Sequence, residues 1–123
     1  MALDVLIVDD SAAIRKILQR VLRQTDIHFG EVHEAGDGVE ALSVLKTKTV
    51  GLILSDINMP NMDGIQLLAH VKANAAWRSV PVVMITTEGS QAKVNEAVEL
   101  GASGYVRKPF TADQITQKLA GLL

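Results

Sequence analysis

Asp9-Asp10, Asp56, Thr86-Thr87 and Lys108-Pro109 each stand at the carboxyl end of a short apolar run, so four separate segments deliver polar groups to chain reversals. Any one of them can be read as a strand terminator or a helix cap. Their convergence suggests more. Carboxylates arriving from two adjacent strands repel, which raises at least one pKa unless a cation neutralises them. With oxygen ligands and no nearby His or Cys, the expected ion is hard and divalent. Two carboxylates plus waters suit Mg²⁺, or another divalent ion such as Mn²⁺, better than an all-protein calcium cage. The spacing does not match an EF-hand loop. A carboxylate beside such an ion, a hydroxyl and an ammonium has the parts for phosphoryl transfer to a carboxylate, with Asp56 as nucleophile and Lys108 absorbing charge on the phosphoryl oxygens. Lys108 alone also reads as a solvated surface lysine. The strand running directly into Lys-Pro favours a fixed position, and a cis Lys108-Pro109 bond would hold the ammonium inward.

The elements that must position these groups are legible in the apolar pattern. Val5-Leu6-Ile7-Val8, Leu52-Ile53-Leu54 and Val82-Val83-Met84-Ile85 are continuous runs rich in β-branched residues, as in strands covered on both faces. Weaker strand signals lie at 32–35 and 104–106. Ile14, Ile17, Leu18, Val21 and Leu22 recur at helical spacing after a candidate cap at Ser11, with Arg15, Lys16, Gln19 and Arg20 opposite. Asp37 with Glu40, and Thr111 with Gln114, read as capping boxes, and further helices fit 64–73 and 91–100, the latter ending before Gly101. Strands alternating with helices predict βαβ units around a parallel sheet with helices on both faces. In such sheets ligands bind beyond the carboxyl ends of the strands.

The 123 residues, 48% hydrophobic and 21% charged, suffice for one compact domain, here residues 1–123. A net charge of −2 leaves no overall basic field for nucleic acid or an anionic membrane. The absence of cysteine excludes disulfides and thiolate chemistry. No apolar run has the length of a membrane span and no signal peptide is visible, so a cytoplasmic location is expected. Four aromatic residues, Phe29, Trp77, Tyr105 and Phe110, offer little for stacking bases or a flavin. His28, His33 and His70 lack ligand spacing and read as surface or satisfied residues. Trp77 reads as a loop anchor, and the basic face of the first helix as solvated.

Asp9-Asp10, the stretch Asp56-Ile57-Asn58-Met59-Pro60-Asn61-Met62-Asp63-Gly64, Thr86, and the segment Gly101 to Phe110 ending in Lys108-Pro109 resemble the receiver domain of two-component response regulators. The likeness spans essentially the whole chain and is strongest to single-domain, chemotaxis-type (CheY-like) members. It implies a flavodoxin-like (βα)5 three-layer sandwich with strand order 2-1-3-4-5, an order for which CheY is itself a standard example.

The resemblance further implies that Asp56 accepts a phosphoryl group from the phosphohistidine of a CheA-like histidine kinase. Asp10, Asp56 and the backbone carbonyl of Asn58 would hold Mg²⁺ directly, with Asp9 acting through water. Thr86 would donate its hydroxyl to the phosphoryl group, Lys108 would pair with it, and Tyr105 would turn inward as the threonine moves. The remodelled surface of the fourth helix, fifth strand and fifth helix would then bind a protein target, such as a flagellar motor switch. Asn58 and Glu88 flank the path of attacking water, although both also read as plain surface residues. Family members usually carry Ala or Gly after the threonine, so Thr87 is expected to narrow access to Asp56. Pro60 and Gly64 are assigned no chemistry: proline fixes φ in the turn and glycine relaxes it.

The expectation is thus a monomeric phosphoacceptor signalling protein, not an enzyme, that assists its own phosphorylation and dephosphorylation and carries no output domain. Within the family, a receiver cut from a longer regulator and a phosphate-sink or relay receiver fit as well. An aspartyl-phosphate phosphatase would place an acid/base carboxylate where Asn58 stands. A flavodoxin would require a Ser/Thr-rich phosphate loop where Asp9-Asp10 stands.

Overall fold

The computed structural model describes residues 3–25, 27–86, 91–108 and 110–122. Strands and helices alternate through the chain: β1 (Leu3–Val8), α1 (Ala12–Gln24), β2 (Phe29–Ala35), α2 (Gly38–Thr47), β3 (Leu52–Asp56), α3 (Gly64–Ala73), β4 (Val82–Thr86), α4 (Gln91–Leu100), β5 (Gly104–Arg107) and α5 (Ala112–Ala120). All paired strands are parallel, in the order β2-β1-β3-β4-β5. This is the flavodoxin-like arrangement.

Every residue of β3 and β4 is buried: the apolar runs Leu52–Leu54 and Val82–Ile85 as a sheet covered on both sides requires, and with them the polar Ser55, Asp56 and Thr86 at the carboxyl ends. The two-residue strand period sorts side chains into two cores. Leu6, Val8, Ile53 and Met84 face α2, α3 and α4, meeting Ala41, Leu45, Leu68, Val71, Val94 and Ala97. Val5, Ile7, Leu54, Val83 and Ile85 face α1 and α5, meeting Leu18, Leu22, Ile115 and Leu119. Trp77 packs against the first core, as a loop anchor does.

Several local expectations are corrected. Ile17, placed on the buried stripe of α1, is 43% exposed, because the stripe facing the sheet is only as wide as Leu18, Val21 and Leu22. Asp37 caps α2 by accepting from Glu40 N–H at 2.9 Å, but the reciprocal half of the box is not formed there. A complete box forms at α5, between Thr111 and Gln114, and another at α3, between Asp63 and Gln66. Arg15 is not solvated: it donates to Glu34 at 2.9 Å and to the carbonyl of Asp9.

Gly64 does not relax φ. In the β3–α3 loop the left-handed residue is Asn61, at φ 64°. A Cβ at Gly64 would instead collide with the carbonyl oxygen of Asp56 and lie 2.9 Å from Ile57 Cα. Glycine is required there so that the first turn of α3 can lie against the end of β3, where Gly64 N–H donates to Ile57 O at 2.8 Å. Since backbone cannot yield as a side-chain tip does, Gly64→Ala is expected to lower stability by about 1–3 kcal/mol. A urea midpoint equal to wild type would remove this close-approach account.

Candidate functional site

The strand order reverses at β1, whose neighbours β2 and β3 lead to opposite edges of the sheet, and the carboxyl ends of β1, β3, β4 and β5 form one rim. Asp9 follows β1, Asp56 ends β3, Thr86 ends β4 and Lys108 follows β5. Register holds these ends level: Asp56 is opposite Ile85, one residue before Thr86, and Thr86 is opposite Arg107, one before Lys108. Lys108 N–H continues the ladder by donating to Thr86 O at 2.6 Å.

Lys108 joins the two buried acids. Its Nζ lies 3.1 Å from Asp9 Oδ2 and 3.5 Å from Asp56 Oδ2, with only 19% of the side chain exposed. The solvated reading of Lys108 is therefore set aside; Pro109, and with it any cis bond, lies outside the described residues. The other oxygen of Asp9 accepts from Ser11 N–H at 2.9 Å, in the loop that enters α1. Ser11 in turn caps α1 by accepting from Ile14 N–H at 3.3 Å. Asp56 Oδ1 accepts from Ile57 N–H at 2.8 Å. Asp10 is the exposed member of the group.

One oxygen from each of Asp9, Asp10 and Asp56 lies within 4.8 Å of the others. Three carboxylates against one ammonium leave the rim negative. The carboxyl group of Asp56 is pushed above its ordinary pKa, first by burial and further by the Asp9 carboxylate, against the opposing pull of Lys108 and the Ile57 N–H. A hard divalent cation fits this donor set: the ligand atoms are all oxygen, no His or Cys intrudes, and Asp10 leaves one side open to water.

Thr86 is almost wholly buried at the rim. Thr87 and Glu88 lie outside the described residues. Asn58 is exposed, and its side-chain oxygen accepts from Lys93 Nζ of α4 at 2.8 Å, a partner 35 residues away that no spacing rule points to. On the same helix, Gln91 accepts from Arg107 of β5 at 2.7 Å. The loop carrying Asn58 is tied down on its other side. Asn61 donates to Asp37 Oδ2 at 2.7 Å and Gly38 N–H to Met62 O at 3.0 Å. The Asn61 bond is the first cause of a lowered Asp37 pKa. Asx-type caps are visible in sequence; this cross-loop bond is not.

Tyr105 lies on the edge strand β5, half-buried against the core, with Lys118 Nζ of α5 5.7 Å from its ring centroid. Its side chain therefore packs on the sheet face covered by α2, α3 and α4 rather than standing free in solvent.

The chain matches the family described as response regulator receiver domain over residues 5–120. It is 41% identical over 115 residues to chemotaxis protein CheY-3 of Vibrio cholerae, covering 94% of this chain and 87% of that protein. It is 40% identical to chemotaxis protein CheY of Pseudomonas aeruginosa, covering 94% and 91%. Among solved structures, the chemotaxis response regulator CheY4 of Vibrio cholerae superposes with a TM-score of 0.87 at 34% identity, each chain covered completely. The fold, the acidic rim and these likenesses agree: the chain belongs to the response regulator receiver family, as a CheY-like receiver of two-component signalling.

Proposed function

We propose that Asp56 accepts a phosphoryl group from a histidine kinase and that the modified chain presents an altered surface to a protein target. The observation that carries this reading is the Lys108 ammonium held between Asp9 and Asp56, 3.5 Å from the acceptor oxygen. In the transfer, an Asp56 oxygen forms the new P–O bond as the P–N bond to the donor imidazole breaks, and the imidazole takes a proton as it leaves. Lys108 pairs with the phosphoryl oxygens, and Thr86 donates its hydroxyl to them. Asp10, Asp56 and the backbone carbonyl of Asn58 would hold a divalent ion, Asp9 through water; Mg²⁺ supplies charge neutralisation there. Labelling with acetyl phosphate in Mg²⁺ tests this directly. Mass spectrometry should place one phosphoryl group on the Asp56 peptide, and an unlabelled Asp56 overturns the reading.

The switch is energetically attainable. Moving an equilibrium from 1:99 to 99:1 takes about 5.5 kcal/mol of differential stabilisation. Hydrogen bonds to charged groups contribute about 1.5–3 kcal/mol each, so those from Thr86 and Lys108 supply most of it. Both groups belong to the strands that carry α4 and Tyr105, so the displacement is delivered to the face built from α4, β5 and α5. The chain holds one tyrosine, whose ring resonances therefore report the switch without ambiguity. A beryllofluoride phosphoryl mimic with Mg²⁺ is expected to displace them in wild type and leave them in place in Asp56→Asn. Unmoved resonances in wild type would remove Tyr105 from the switch.

The named relatives are chemotaxis proteins, which supports a CheA-like kinase as donor and a flagellar motor component as target. No helix among the described residues is long and apolar enough to cross a membrane.

A further inference from the structure

We infer that Asp4, Glu31 and His33 form a second cation site, of different chemistry from the acidic rim, suited to a borderline transition metal such as Zn²⁺. Asp4 lies near the start of β1, and Glu31 and His33 lie on the adjoining edge strand β2. Five residues of extended strand separate Asp4 from Asp9, about 16 Å at 3.3 Å per residue, so the two clusters cannot share an ion.

The ring nitrogen Nε2 of His33 is buried and has no hydrogen-bond partner. It faces two carboxylates, at 3.6 Å from Glu31 Oε2 and 4.0 Å from Asp4 Oδ2. These separations are too long for hydrogen bonds. They are close to the spacing of ligand atoms around a tetrahedral ion, which bonds of about 2.0–2.2 Å set at about 3.3–3.6 Å. One oxygen or nitrogen from each of the three side chains falls within 4.8 Å of the others. Asp4 is also oriented from behind: its other oxygen accepts from the Glu31 N–H at 2.9 Å, which aims Oδ2 at the imidazole. One imidazole and two carboxylates, with the exposed Glu31 side leaving a position for water, make a donor set for Zn²⁺ rather than Mg²⁺. The ion would staple the edge strand to β1 beside the register irregularity between Leu3 and Val5.

A zinc titration with a competing chromogenic indicator, followed in parallel by imidazole NMR, tests the site. Wild type is expected to take up one zinc per chain, with the His33 resonances shifting while those of exposed His28 and His70 stay put. His33→Gln and Glu31→Gln are each expected to weaken binding at least tenfold. Glu31 is 75% exposed, so its variant keeps the test valid even where His33→Gln fails to fold. Binding is also expected to weaken in acid, where protons compete with the ion for its ligands. Excess Mg²⁺ and the Asp56→Asn variant are expected to leave zinc uptake unchanged, which separates this site from the phosphoacceptor reading. No zinc uptake, uptake unaffected by both substitutions at the site, or uptake abolished by Asp56→Asn would each overturn the inference.

Discussion

Asp56→Asn is expected to abolish phosphoryl incorporation and, at neutral pH, to make the protein more stable. The first effect follows because the amide cannot form the acyl phosphate. The second follows from the direction in which the native site moves the Asp56 pKa. Burial and the Asp9 carboxylate raise it, so the folded state binds a proton at Asp56 more tightly than the unfolded chain does. A group of this kind favours folding below its unfolded pKa, and that contribution is lost as pH rises through the folded value. Above it, the ionised side chain strains the fold, and asparagine removes the strain. The variant's melting temperature is therefore expected to exceed that of wild type at pH 7 by a few degrees, each kcal/mol being worth about 4 °C at a size between the ranges where it is worth about 4–8 °C and about 2–4 °C. The gap should close as pH falls towards the carboxylate range. Thermal unfolding of both proteins across that range checks the sign. A variant less stable than wild type at pH 7 would mean that the Lys108 contact outweighs desolvation. Divalent cation should narrow the same gap, since it neutralises the charge that the substitution removes.

Lys108→Met is expected to give the opposite sign. Asp9 is 1% exposed, and its Oδ2 relies on Lys108 at 3.1 Å. Removing one partner of a buried pair leaves an uncompensated charge and typically costs 3–5 kcal/mol. Here 19% of the lysine side chain reaches solvent and Ser11 N–H still serves Asp9, so the expected loss is at the low end, about 3 kcal/mol. The double variant Asp9→Asn/Lys108→Met should recover a large part of it, because the most deeply buried carboxylate, that of Asp9, is then no longer left as an unpaired charge. Urea unfolding of wild type, Asp9→Asn, Lys108→Met and the double variant closes the cycle, and additivity would show that the pair does not interact. Phosphoryl labelling should stay impaired in the double variant despite the recovered stability, which separates the lysine's part in transfer from its part in folding.

The sequence by itself determined the alternation of strands and helices, because unbroken apolar runs and 3.6-residue stripes leave each segment few other ways to bury its surface. Helices 64–73 and 91–100 appear where the pattern puts them, and β2 and β5 only extend beyond their signals, as edge strands with a weaker apolar pattern do. The rim acids and Lys108 were legible for a related reason: in a parallel sheet the residues that follow the strands must share one edge. The tertiary structure alone decided what depends on side chains distant in the chain. It set Lys108 between Asp9 and Asp56 across 99 residues, Lys93 on Asn58, Asn61 on Asp37 and His33 beside Asp4. It also turned Ile17 outward and made Gly64 a matter of close approach rather than φ. Periodicity constrains which face a residue takes relative to its own backbone; distances between faces arise only when the layers pack.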